Sequence, residues 1–186
     1  MSHLPLIIIA FILSLVPFSV ALSSSVYRCI LWKEAFRIAL VFALFQAVMI
    51  SVGWVIGFGV RGLLYDMAIP VAVMIVFFIG IRLFLDSRRL GWEHRTLSVE
   101  NKRLLFGFAF VISINPALLG MGLGILYNDI LILAGFDFAM VFLMTIAGIL
   151  AGKRGMMNLG RTAETIGSAG LGVISVIIIL QYLKIL

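Results

Sequence analysis

The chain has 186 residues, of which 63% are hydrophobic and 12% are charged, and its formal net charge is +6. Soluble domains carry about 25% charged residues, so this composition excludes an ordinary soluble enzyme, a disordered protein and a disulfide scaffold. Because Cys29 is the single cysteine, an intramolecular disulfide and a dithiol relay are excluded as well. The composition therefore predicts a multi-span membrane protein with no enzymatic activity and no cofactor.

Six apolar segments follow one another along the chain, separated by polar residues. Each is long enough to cross a hydrocarbon core of about 30 Å as a helix. The segments are continuously apolar, which favours helices over the alternating strands of a membrane barrel. The predicted spans are Leu4–Val26, Ile38–Val60, Ala68–Leu85, Leu104–Leu126, Ile130–Ala151 and Ala163–Leu183. The predicted fold class is an all-α integral membrane protein with six transmembrane helices.

The basic residues predict the orientation of these spans. Twelve of the fourteen fall within residues 27–37, 82–103 and 152–162, which six spans place on one side of the membrane. Basic loops stay in the cytoplasm, so both termini are predicted to lie outside a bacterial inner membrane. The excess positive charge then reflects this topology and attraction to anionic lipid, and no nucleic-acid partner is expected.

Two features recur in the same order in the two halves of the chain. A proline lies near the middle of the first and fourth spans, and a Gly-xxx-Gly pair lies in the second and fifth. The residues are Ser14-Leu15-Val16-Pro17 and Ser113-Ile114-Asn115-Pro116, then Gly53 with Gly57 and Gly148 with Gly152. Because each half holds three spans, the second copy enters the membrane in the opposite sense, as in many secondary transporters. Residues 1–85 and 104–186 are therefore predicted to be inverted three-helix repeats, joined by a basic cytoplasmic linker at 86–103.

The two prolines point to a functional centre. Each lacks the backbone donor for the carbonyl four residues earlier, at Leu13 or Ile112, and in lipid that carbonyl needs another partner. Small polar side chains are near: Ser14 and Ser19 in one half, Ser113 and Asn115 in the other. Such carbonyl, hydroxyl and amide oxygens are typical of ion and polar-solute sites. The alternative is a kink with local side-chain capping. The Gly-xxx-Gly pairs are interpreted as helix-packing surfaces and as candidate faces for a homodimer.

Two further polar side chains lie within the spans. Asp137 is about seven residues, or ~10 Å, from the outer end of the fifth span, too deep for a short side chain to reach water. Ionisable groups at such depth are functional candidates, so Asp137 is predicted to bind a cation or carry a coupling proton. The alternative is a span that starts later, with Asp137 at the interface. Gln46 either faces the same centre or makes an interhelical hydrogen bond. The predicted substrate-binding residues are Ser14, Pro17, Gln46, Ser113, Asn115 and Pro116, and the predicted metal ligands are Gln46, Asn115 and Asp137.

The two halves, the basic central loop and the paired motifs resemble the bacterial manganese exporters of the MntP type, within a wider lysine-exporter-like group. The resemblance extends over most of the chain and includes Phe18, Gly53-Trp54 with Gly57, and Glu164 with Gly167. It implies a six-helix inner-membrane exporter of inverted-repeat design. It also implies a divergent member, because the family's intramembrane acids correspond here to the neutral residues Val16, Gln46 and Asn115. Manganese prefers carboxylate and carbonyl oxygens, and neutral ligands leave its buried charge uncompensated.

The predicted function is a secondary transporter that exports a divalent metal cation such as manganese. The substrate would enter between the halves near the two prolines, with one repeat rocking against the other. Two alternatives stay open. The missing acids favour export of a small polar organic solute such as an amino acid. A non-transporting membrane scaffold or regulator would use the Gly-xxx-Gly faces to bind partners.

Overall fold

A computed structural model describes residues 4–27, 30–64, 102–126 and 131–155, with isolated positions between 70 and 82 and at 162 and 166. Each of the four long helices contains an apolar stretch of membrane-spanning length. They are α1 (Leu4–Tyr27), α2 (Trp32–Leu64), α3 (Lys102–Leu126) and α4 (Leu131–Lys153). The predicted all-α membrane class is confirmed, and these helices correspond to the first, second, fourth and fifth predicted spans. The linker at 86–103, most of the third predicted span and the sixth lie outside the described residues.

The second helix is longer than its apolar segment predicts. It begins at Trp32 because the backbone N–H of Leu31 donates to Glu34 Oε2 at 3.0 Å, which caps the first turn. Its 33 residues span about 50 Å, well beyond a hydrocarbon core of about 30 Å. Hydropathy marks the part of this helix that lipid can cover, and misses the polar first turn. By contrast, α1 and α3 continue without a break through Pro17 and Pro116.

The four helices form two tightly packed parallel pairs, α1 with α4 and α2 with α3. The packing between α2 and α4 is less extensive, and α1 and α3 barely touch. The parallel direction follows from the close approaches of the glycines. Within each pair, a glycine later in one helix meets a residue later in the other. In the α1–α4 pair Gly148 meets Phe18 and Gly152 meets Leu22, and in the α2–α3 pair Gly53 meets Ala117 and Gly57 meets Met121.

Two apolar clusters fill the ends of this bundle. The basic-end cluster includes Val20, Ala21, Ile38, Phe42, Ala109, Val141 and Ile149. The opposite-end cluster includes Ile9, Leu13, Ile50, Leu119, Leu123 and Leu133. The basic end takes its name from Lys33 and Arg37 at the start of α2 and Lys153 and Arg154 at the end of α4. The Lys153 ammonium lies 5.7 Å from the centre of the Trp32 ring, so the end of α4 lies beside the start of α2.

Candidate functional site

The structure brings Gln46 of α2 and Asp137 of α4 into contact. Gln46 Nε2 donates a hydrogen bond of 3.3 Å to Asp137 Oδ1. The exposed fraction is 1% for Gln46 and 0% for Asp137, and α4 begins at Leu131, six residues before the carboxylate. Asp137 is thus buried inside the protein and lies more than one turn into its helix, and its depth in the membrane stays a prediction. The predicted interhelical hydrogen bond of Gln46 is present, and its partner is the buried carboxylate itself.

Two buried oxygens near the middle of the bundle have no hydrogen-bond partner within the described part of the chain. They are Asp137 Oδ2 and Asn115 Oδ1. Buried polar atoms are almost always paired, and an unpaired one costs about 1–3 kcal/mol, more for a charged group. An amide oxygen and an ionised carboxylate oxygen both accept, so a ligand that satisfies either atom must offer a positive charge or a donor. An oxygen-binding cation meets this requirement.

Polar residues and prolines share one layer of the bundle. Each helix contributes residues to both apolar clusters, and only a few residues separate the two sets along the helix. The residues at this crossing are Pro17 on α1, Gln46 on α2, Ser113, Asn115 and Pro116 on α3, and Asp137 on α4. Ser14 lies just outside the layer, next to Leu13 in the opposite-end cluster. We call this crossing level the central layer; it holds all of the predicted site residues except Ser14.

The serine hydroxyls do not compensate for the donors that the prolines lack. Ser14 Oγ donates to Phe11 O at 2.6 Å, Ser19 Oγ to Val16 O at 2.9 Å and Ser113 Oγ to Ala109 O at 2.7 Å. The interpretation that they cap the carbonyls of Leu13 and Ile112 is wrong. A hydroxyl on a helix reaches the carbonyl three or four residues earlier, and neither carbonyl stands at that distance. Each hydroxyl oxygen still keeps lone pairs that can accept.

The Gly-xxx-Gly pairs pack helices of the same chain against each other. A β-carbon at Gly53 would overlap Ala117 O, and one at Gly148 would lie 2.5 Å from Phe18 O. In both cases the partner is the residue that follows the central proline of the other half. The predicted helix-packing role is confirmed. Both faces are filled within the chain by α3 and α1, and the homodimer stays a prediction.

Sequence reasoning missed the small residues on the other side of each contact. Gly120 and Gly124 of α3 bring the backbone of α2 within reach, and Ala21 and Ser25 of α1 face Gly148 and Gly152. Ser25 Oγ also donates to Ile149 O at 2.7 Å, across the α1–α4 contact. The four-residue spacing of these small residues was the available signal. Thr145, fully buried on α4, was also missed, and it bonds its own helix at Val141 O.

The central layer carries one carboxylate and two amides, on three different helices. No three His, Cys, Asp or Glu side chains gather to hold an ion among the residues that the structure describes. Of the predicted metal ligands, Gln46 and Asp137 touch, and Asn115 lies in the same layer on the neighbouring α3. All are oxygen ligands of the type that manganese, magnesium and calcium accept. The donor chemistry therefore fits a hard divalent cation that keeps part of its water shell.

Comparison with known proteins identifies relatives along most of the chain. A family model described as "Putative manganese efflux pump" matches residues 29–179. A protein named "Putative manganese efflux pump MntP" from Rippkaea orientalis is 28% identical over 74% of this chain and 74% of its own length. One with the same name from Crocosphaera subtropica is 26% identical over 88% of each. "Putative manganese efflux pump MntP 2" from Clostridium botulinum is 26% identical over 100% of this chain and 98% of its own.

No solved structure is significantly similar to the chain. The predicted family resemblance is confirmed by the family model and by relatives that cover most of both chains. Helices of membrane-spanning length agree with that assignment. The chain belongs to the family of multi-pass membrane proteins described as "Putative manganese efflux pump".

Proposed function

We propose that this protein is a secondary transporter that exports a divalent metal cation, manganese being the first candidate, across a bacterial inner membrane. The observation that carries this proposal is Asp137, a fully buried carboxylate in the middle of a helix bundle, one of whose oxygens has no partner among the described residues. Burying an uncompensated charge is costly, and intramembrane acids mark ion pathways. The names of the relatives supply manganese as the candidate cation.

Each polar residue of the central layer has a separate role in binding the cation. Asp137 Oδ2 supplies the negative charge that attracts the cation. Gln46 holds the other carboxylate oxygen in place and leaves its own amide oxygen as a ligand. Asn115 Oδ1 supplies a neutral oxygen from α3, and water completes the coordination shell. The same carboxylate is the candidate carrier of a coupling proton, because a gradient must drive export.

The parallel direction of α2 and α3 supports the six-span topology. If α2 crosses the membrane from the basic end to the opposite end, α3 crosses it the same way. The chain between Leu64 and Lys102 must then return across the bilayer once. The described positions between 70 and 82 are helical, which suits the third predicted span. Parallel α1 and α4 agree with the same alternating order.

The glycine contacts support the inverted repeat of residues 1–85 and 104–186. Gly53 and Gly57 of the first half pack one and five residues after Pro116 of the second half. Gly148 and Gly152 of the second half pack one and five residues after Pro17 of the first. An inverted repeat would generate this exchange of equivalent contacts. The shared basic end supports a cytoplasmic position for that end and outer positions for both termini.

A small polar organic solute is the second candidate substrate. It is favoured by the single carboxylate of the central layer, since no metal-binding group of three acids, histidines or cysteines occurs among the described residues. Amides and hydroxyls suit hydrogen-bonded solutes as well as cations.

The proposal is tested by transport in proteoliposomes that contain a manganese-sensitive dye. Wild-type protein is compared with Asp137→Asn, and with Glu34→Gln as a matched loss of a carboxylate at the basic end. We expect the wild type to transport manganese and Glu34→Gln to transport it at the same rate. For Asp137→Asn we expect the manganese flux to fall at least about tenfold, or 1.4 kcal/mol. Wild-type protein that moves labelled amino acids and no manganese would favour the second candidate. Protein that moves neither would indicate a scaffold and contradict transport.

A further inference from the structure

The two tightly packed helix pairs are each built from both halves of the chain. The first pair joins α1 of residues 1–85 to α4 of residues 104–186, and the second joins α2 to α3 in the same way. Among the described helices the halves are therefore interlocked, and their most extensive packing is with each other. A motion that rocks one half against the other would have to separate both pairs.

Each pair contains close approaches between the two backbones. On the α2–α3 side, Gly57 approaches the Met121 carbonyl and Gly124 approaches the Trp54 carbonyl, so both helices contribute a glycine. On the α1–α4 side, the Ser25 hydroxyl adds a hydrogen bond to the Ile149 carbonyl. Close-packed backbones in contact leave no flexible side chains to absorb a sliding movement. Each pair is therefore expected to move as a rigid unit.

The contact between α2 and α4, in comparison, is less extensive, and side chains make the contacts at its basic end. Phe36 meets Phe142 edge to face, with ring centres 5.4 Å apart, and Lys153 lies over Trp32. Towards the opposite end, a groove of about 510 Å³ runs along α2 and reaches α4 at Ala134. Small sliding of packed helices is accommodated by side-chain contacts of this kind. We call this α2–α4 contact the seam.

We propose that, if the chain transports as argued above, alternating access moves the α1–α4 pair against the α2–α3 pair along the seam. Gln46 and Asp137 stand on opposite sides of the seam, so their hydrogen bond joins the two moving units. A cation held by Asp137 of α4 together with Gln46 of α2 and Asn115 of α3 bridges the same units. Its binding and release are thereby linked to the relative position of the pairs, which is what a transporter requires.

Two phenylalanine contacts of nearly equal spacing allow a matched test. Phe36 and Phe142 meet across the seam at 5.4 Å, whereas Phe45 and Phe106 meet within the α2–α3 pair at 5.7 Å between ring centres. Both contacts join the first half of the chain to the second. Each is replaced by a pair of cysteines in a Cys29→Ser background, and both are closed with the same short, membrane-permeant bifunctional thiol reagent. Manganese flux is measured before and after closure.

Closure at Phe36→Cys with Phe142→Cys is expected to abolish flux, and closure at Phe45→Cys with Phe106→Cys is expected to leave it within about twofold. Loss of flux in both would indicate that the halves rock against each other, and would overturn the proposal. Retained flux in the first pair would overturn it as well. If the first pair does not fold, Trp32→Cys with Lys153→Cys tests the same seam. Absence of flux before closure, in the wild type too, would instead contradict transport itself.

Discussion

Two glycines of α2, only two residues apart, stand in opposite surroundings and allow the helix packing to be tested. A β-carbon at Gly57 would overlap the carbonyl of Met121 on α3, whereas one at Gly59 meets nothing within 4 Å. Alanine at Gly57 therefore forces α2 and α3 apart, and alanine at Gly59 does not. Gly59→Ala is a control on the same helix with the same chemical change.

The difference in unfolding free energy between the two variants can be estimated because the gain in helix propensity is the same in both and cancels. Replacing glycine by alanine in a helix interior contributes up to about 1 kcal/mol of stability through backbone entropy, and both variants gain it. The Gly57 variant also carries the cost of overpacking, about 1–3 kcal/mol. Its clash is with a backbone carbonyl, which cannot rotate away, so we expect the upper part of that range. The difference in unfolding free energy between the variants is therefore about 1–3 kcal/mol.

Thermal unfolding of the purified variants in detergent measures this difference. For a chain of this size, 1 kcal/mol shifts Tm by roughly 2–4 °C, so Gly57→Ala should melt several degrees below Gly59→Ala. On α4, Gly148→Ala should likewise melt below Gly135→Ala, because Gly135 faces open space. Equal melting temperatures in both comparisons would refute the packing of the two parallel pairs described above.

Three further predictions concern single side chains. Gln46→Leu removes the hydrogen bond to Asp137 and should lower manganese flux at least about tenfold with normal protein levels. Flux equal to that of the wild type would contradict the positioning role. Asn115→Cys in a Cys29→Ser background should react with a small charged thiol reagent added from the aqueous side, and complete protection in every condition would argue against a hydrated central layer. Glu34→Ala removes the carboxylate that caps α2 and should lower stability by roughly 0.5–1 kcal/mol, seen as a small fall in Tm with unchanged flux.

The helices were predictable because a bilayer imposes a length and a composition on every span. The apolar segment at Leu4–Val26 differs from α1 by one residue at its end, and α3 and α4 agree with their segments to within two residues at each end. The error at the start of α2 arose because its first turn is stabilised by Glu34, through a local hydrogen bond that hydropathy does not measure. The third and sixth predicted spans stay predictions.

The central layer was predictable in part. Gln46, Asn115 and Asp137 were found because a polar side chain in an apolar segment is rare and expensive. Their mutual arrangement was not predictable, because the pairing of α2 with α4 is a contact between residues 91 positions apart in the chain. The partners of Ser14 and Ser113 were misjudged because a hydroxyl on a helix bonds the carbonyl three or four residues earlier, and not that of the residue directly before it.

The glycine pairs show where spacing alone is insufficient. Their four-residue spacing predicted close helix packing, which the structure confirms at Gly53 and Gly148. Spacing does not identify the partner, since the same pattern serves dimers and packing within one chain. The contact of each pair with the residue after the other half's proline depends on the three-dimensional arrangement of both halves.

The central claim is that Asp137 and the amides of the central layer bind the exported cation. Calorimetric titration of manganese into purified wild-type protein, Asp137→Asn and Asn115→Asp tests it most directly. We expect one saturable site in the wild type, at least about tenfold weaker binding, or 1.4 kcal/mol, in Asp137→Asn, and tighter binding in Asn115→Asp because a second carboxylate joins the layer. Manganese binding that is unchanged by Asp137→Asn would contradict the claim.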